Sequence, residues 1–138
     1  MGNYQTIKAK IIEKLEEADG IDNVYGYEKG DLGGFPSVCV VGAEFSSDWI
    51  TEMKNNRVYI FKIKIRQEIK DEFRGAEGGE DVLDELTDSI MEIFEQDYTL
   101  EGTADKVFVK GVKVWEKREM TMRVLEMTIQ AEKVVSII

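Results

Sequence analysis

Apolar residues at the start of the chain recur every three to four positions. Tyr4, Ile7, Ile11 and Leu15, with Ile12 and Ala18 beside them, form a stripe that predicts an amphipathic helix. Asn3 suits its N-cap and Gly20 a left-handed stop, while Lys8, Lys10, Glu13, Lys14, Glu16 and Glu17 supply a wet face. A short extended piece, Val24 to Tyr27, and a glycine-rich turn, Gly30 to Gly34, follow. Phe35-Pro36 then leads into the β-branched run Ser37 to Val41. From Glu44 to Asn56 the pattern is polar except at Phe45, Trp49, Ile50 and Met53, which reads as an excursion between strands. Arg57 to Ile69 alternates cleanly, with Tyr59, Phe61, Ile63, Ile65 and Ile69 on one side and Lys62, Lys64, Arg66 and Glu68 on the other. Thirteen residues of strand span roughly 43 Å, so one end is expected to project beyond the core.

A polar loop with Gly75, Gly78 and Gly79 precedes a second amphipathic helix, Glu80 to Gln96, whose apolar face is Leu83, Leu86, Ile90, Ile93 and Phe94. Two strands close the chain. Lys106 to Glu116 carries Val107, Phe108, Val109, Val112, Val114 and Trp115, with Gly111 marking a bulge. Met120 to Val135 places Leu125, Met127, Ile129 and Ala131 on one face, and Lys117-Arg118 makes the pair a hairpin. Met120, Met122 and Met127 read as gap-fillers in that strand. The expected fold is α+β: an antiparallel sheet of about four main strands with both helices on one face, in a single domain spanning 1–138.

Charge changes this picture at one place. The chain has 28 acids and 18 bases, a net charge of −10. Between Asp71 and Asp105 thirteen acids face one base, Arg74, a balance of −12, while the remaining 17 bases and 15 acids balance at +2. The overall sign argues against general binding to nucleic acid or anionic membranes. Glu80/Asp84, Asp81/Glu85, Asp84/Asp88 and Asp88/Glu92 are like-charge pairs at four-residue spacing, each costing roughly 0.2–0.5 kcal/mol. Two readings are open. Asp84, Asp88 and Glu92 meet the basic strip Lys62, Lys64 and Arg66 of a neighbouring subunit, or both faces are simply solvated. Trp49, Ile50 and Met53 likewise form a partner surface or fold back on their own core.

The remaining chemistry is sparse. The chain has no histidine, which removes imidazole acid–base catalysis, Ser-His-Asp and Cys-His systems, and histidine metal ligation. The one cysteine, Cys39, cannot form an internal disulfide and reads as a buried small hydrophobe. Gly30 to Gly34 fits neither GxGxxG nor a P-loop, and Gly78-Gly79 is flanked by acids that repel an anion. The acidic helix lacks the curved loop of a calcium site. No metal, cofactor or enzyme activity is expected. Neither a signal peptide nor an apolar run long enough to span a membrane is evident, so a reducing, aqueous setting is expected.

Several strings in this order resemble one family. They are the opening helix, Val24-Tyr25-Gly26-Tyr27, Gly33-Gly34-Phe35-Pro36-Ser37-Val38, Asn56-Arg57-Val58-Tyr59-Ile60-Phe61, the Leu83/Leu86/Ile90 helix and Val124-Leu125-Glu126-Met127-Thr128-Ile129. Together they resemble the tail terminator (tail-completion, tail-to-head joining) proteins of long-tailed bacteriophages over nearly the whole chain. The resemblance implies an α+β subunit of a homo-oligomeric ring, typically a hexamer, at the head-proximal end of the virion tail, assembled in the host cytoplasm. Such a ring caps the tail tube, ends its polymerisation and offers a surface to the head connector or completion protein, while DNA passes through without specific binding. It implies no catalysis, no cofactor and no membrane. The Trp49 segment and the strength of the acidic segment have no counterpart in the family pattern. Two other readings stand beside it: another virion joining protein, such as a head-completion subunit, and an unrelated α+β ligand-binding or regulatory domain that dimerises through its sheet.

Overall fold

The computed structural model describes residues 3–18, 21, 23–26, 37–68, 75–117 and 122–136. Two helices and five strands follow in the order α1 (Asn3–Glu16), β1 (Asn23–Tyr25), β2 (Ser37–Trp49), β3 (Lys54–Glu68), α2 (Gly75–Gln96), β4 (Lys106–Lys117) and β5 (Met122–Ser136). The strands form one sheet in the order β1-β2-β3-β5-β4. Every pairing is antiparallel except β1 with β2, which is parallel. The fold is therefore α+β with a mixed, mostly antiparallel sheet, and the expected four main strands gain a short fifth.

Alternation sorts the sheet into two faces. Val38 and Val40 of β2, Tyr59, Phe61, Ile63 and Ile65 of β3, and Leu125, Met127, Ile129 and Ala131 of β5 share one face through the strand registers. All are buried in one apolar cluster with Ile7, Ile11 and Leu15 of α1 and Leu86, Ile90 and Phe94 of α2. Both helices thus cover the same face, α1 over β1 and β2, α2 over β3, β5 and β4. Three buried side chains per helix, at about 1.5–3 kcal/mol each, fix the docking of each element. Cys39 is buried on the opposite face, as a small hydrophobe should be.

Four sequence expectations change. The stretch from Glu44 to Asn56 is not a polar excursion. β2 continues to Trp49, β3 begins at Lys54, and a four-residue turn at 50–53 joins them. Its polarity misleads because every residue from Gly42 to Lys54 is exposed, so neither strand face needs apolar residues. The helix expected from Glu80 begins at Gly75 and runs 22 residues. Gly75, Gly78 and Gly79 each cost about 1 kcal/mol relative to Ala in a helix, which disguised its first turns, and Gly78-Gly79 therefore lies inside the helix rather than before it. The last hairpin closes between Lys117 and Met122 rather than at Lys117-Arg118. The wet face of α1 also proves less wet than expected. Lys8 donates to the Gly26 carbonyl at 2.6 Å, and Lys10 and Lys14 are held in ion pairs. The readings at Gly20, Tyr27, Gly30 to Pro36, Ile69 and Met120 lie outside the described residues.

Candidate functional site

Two bulges shape the exposed surfaces. The register slips between Gly42 and Glu44 of β2 and between Val109 and Gly111 of β4. Gly42 pairs with Phe61, Phe61 with Ile129 and Ile129 with Val109, so both slips lie at one level across the sheet. Bulges bend and twist the strands that carry them, so the sheet turns at this row. Beyond it, Ala43 to Trp49 of β2, the first residues of β3 and the end of β5 leave the helix layer as a three-stranded arm of about 20 Å.

The root of this arm is an aromatic cluster. The Tyr4 ring stacks on Phe61 at 5.4 Å and 5°, and meets Phe45 edge-on at 4.8 Å, while Phe45 meets Tyr59 edge-on at 5.7 Å. This ties the first turn of α1 to the base of the arm. The tip is closed by backbone bonds from the Ile50 and Thr51 N–H groups to the Lys54 carbonyl, and the Thr51 hydroxyl accepts from the Met53 and Lys54 N–H groups. Trp49 at 55%, Ile50 at 58% and Met53 at 52% exposure therefore sit on an ordered tip that does not fold back on the core.

The faces of the arm differ. Phe45, Ser47 and Trp49 share a face with Arg57 and, on β5, Lys133. Glu44, Asp48 and Glu132 lie on the other face, where Glu132 accepts from the Asn56 amide. One face of the arm is thus aromatic and basic, and the other mostly acidic, with Lys54 at its tip end.

Asp84, Asp88 and Glu92 are exposed along α2, as are Glu85 and Glu95, and the last turn of α2 holds no base. The acids just beyond α2 do have partners inside the chain. Lys14 pairs with Asp97 at 3.1 Å and Glu101 at 3.1 Å, and Lys10 pairs with Glu101 at 2.9 Å. The Asp97 carboxyl is held below its ordinary 3.8, first by the Glu101 backbone N–H it accepts and then by Lys14. Glu101 is held below 4.5 by Lys10 and Lys14, and both lysines are raised, by Glu101 first. These contacts rivet α1 to the turn after α2. Beside that turn, a groove of about 310 Å³ runs between α2 and edge strand β4, lined by Met91, Phe94, Glu95 and Tyr98 on one side and Lys106 to Val109 on the other.

On the open sheet face the basic strip is not uniform. Lys62 reaches Glu126 at 2.9 Å, and Arg66 is only 7% exposed. Register adds two bases that the sequence pattern does not group with them. In the strand register Lys113 and Lys64 lie on either side of Glu126, and Lys110 occupies the β4 bulge beside Lys62. The strip and the acids of α2 lie on opposite sides of the molecule, since α2 covers the other sheet face. Among the described residues, no three of Cys, Asp and Glu are placed to hold a metal ion, and no helix is long and apolar enough to cross a membrane.

No family model matches the chain, and no curated protein sequence matches it. Among solved structures, a chain from a particle described as the virion of a native gene transfer agent is similar in fold, with a TM-score of 0.53 and 11% identity. The match covers 91% of this chain and 92% of that one, so the shared fold extends over nearly all of both.

Proposed function

We propose that the chain is a structural protein of a phage-like virion, a single domain that acts without catalysis. The observation carrying this reading is the near end-to-end fold likeness to a chain of a gene transfer agent virion. The finer assignment is tail terminator: a homo-oligomeric ring, hexameric by family resemblance, that caps the tail tube, ends its polymerisation and receives the head connector. The order of elements in the sequence supports it, and so do the exposed surfaces. A protein that functions alone gains nothing from three large apolar side chains on an ordered projecting tip.

The surfaces assigned to assembly are the arm tip with Trp49, Ile50 and Met53, the acidic face of α2 with Asp84, Asp88 and Glu92, and the strip with Lys62, Lys64 and Arg66. Within the strip, Arg66 is buried and Lys62 pairs with Glu126, while the exposed Lys110 and Lys113 of β4 extend the basic surface outward. A net charge of −10 lets DNA traverse a ring of such subunits without adhesion.

The test is tube assembly. Purified chain added to polymerising tail tube protein is expected to halt growth and to sit as a ring at one tube end in electron micrographs. Unchanged tube length with no end-bound density overturns the terminator assignment. Density on the head portal instead favours a head-completion subunit.

A further inference from the structure

We infer that the arm of one subunit docks in the groove between α2 and β4 of the next, with Trp49 as its anchor. The inference rests on the ring reading and names the contact that would build it. Three features of the molecule match. The groove is apolar along Met91, Phe94, Tyr98 and Val107 to Val109, and its volume of about 310 Å³ suits one large aromatic side chain. The arm offers such a side chain on a tip closed by its own hydrogen bonds, so little order is lost on docking.

Charge selects the orientation. Asp84, Asp88 and Glu95 lie seven, three and four residues from Met91, which places them along the groove side of α2. The arm face that bears Trp49 bears Arg57 and Lys133 and no acid among the described residues, whereas the opposite face bears Glu44, Asp48 and Glu132. The groove side carries three acids against one base, Lys106, so the Trp49 face brings Arg57 and Lys133 to mostly unlike charges, whereas the other face, with three acids and Lys54, meets mostly like ones.

Placement then decides the symmetry. The arm is built on β2, β3 and β5, and the groove lies beside β4 at the sheet edge, so the two surfaces do not overlap. One surface donates and a different one receives. Such a contact is head-to-tail, and it closes into a ring when its rotation divides a full turn.

Thiol crosslinking tests the contact directly. Met53→Cys and Tyr98→Cys are combined in a Cys39→Ser chain and treated with a short bismaleimide, alone and on tail tubes. A ladder of covalent multimers ending at the ring size is expected, with each single-cysteine chain left monomeric on the gel. Trp49→Ala should weaken self-association roughly 30-fold or more, the loss typical of an interface hot spot. Arg57→Glu should also weaken it, and Glu95→Lys in the same chain should restore it. Intact rings that give no ladder overturn this inference and leave the ring reading standing. So do crosslinks between two Met53→Cys arms, or from the arm to the tube protein. A chain that stays monomeric both alone and on tubes removes the ring reading and this contact together.

Discussion

Gly42 shows how tightly the arm is set on the body. A Cβ at this position would lie 2.7 Å from the Tyr4 hydroxyl and 2.9 Å from the tip of the Phe45 ring. Gly42→Ala is therefore expected to destabilise the chain by about 1–3 kcal/mol, the range for overpacking. Tyr4→Phe removes the nearest atom, so it should cost less in the Gly42→Ala chain than in the parent. Equal costs in a double-mutant cycle would show that the contact is not what makes glycine necessary. The turn after α2 holds a second such position. Leu100 is fully buried yet has φ 49°, and Glu101 and Gly102 follow at 58° and 85°. An L-residue there carries roughly 1–2 kcal/mol of backbone strain, held in place by the buried side chain. Leu100→Ala should cost about 2–5 kcal/mol in denaturant unfolding. At an ordinary position Gly is worse than Ala by about 0.5–1 kcal/mol, but here Leu100→Gly should be no less stable than Leu100→Ala.

At the scale of elements, the junction of α1 with the turn after α2 makes stability depend on pH. Asp97 and Glu101 have lowered pKa values in the folded chain, so their contribution is present above the unfolded values of 3.8 and 4.5 and is lost as pH falls through the folded ones. Lys10 and Lys14 are raised from 10.5, so theirs persists below that value and is lost as pH rises through the folded ones. The melting temperature of the parent should exceed that of a Lys10→Gln, Lys14→Gln chain near neutral pH, and the difference should close below about pH 3.8. These pairs are exposed, so the gap is expected to be small and to shrink in salt. The same scale shows what was legible in the sequence. The helix stripes and the alternation of β3 were readable because each buries one periodic face, and the β4 bulge was readable from Gly111, although beyond it Val112 and Val114 are exposed. The arm was not, because it leaves the helix layer and periodicity vanishes with burial. The Lys10 and Lys14 pairs were not either, since their partners lie 91 and 87 residues away and only tertiary packing joins them. Lys110 and Lys113 joined the open-face strip only through strand register.

For the whole molecule, seven of the thirteen acids in the acidic segment fall into two groups. Asp97 and Glu101 are neutralised within the chain, while Asp84, Glu85, Asp88, Glu92 and Glu95 remain outward along one helix. With the outward set and the unlike surfaces of arm and open sheet, the proposed assembly is expected to respond to salt. Lys64→Glu is expected to shift both the oligomeric state and its salt response, and an unchanged response would remove the open face from the contact. Native mass spectrometry of the intact protein, alone and released from tail tubes, shows whether these surfaces join copies of the chain into a closed ring. One dominant closed species is expected, about 95 kDa for six copies of the 15.8 kDa chain. A stable dimer that binds a small molecule, or a monomer under both conditions, would contradict it.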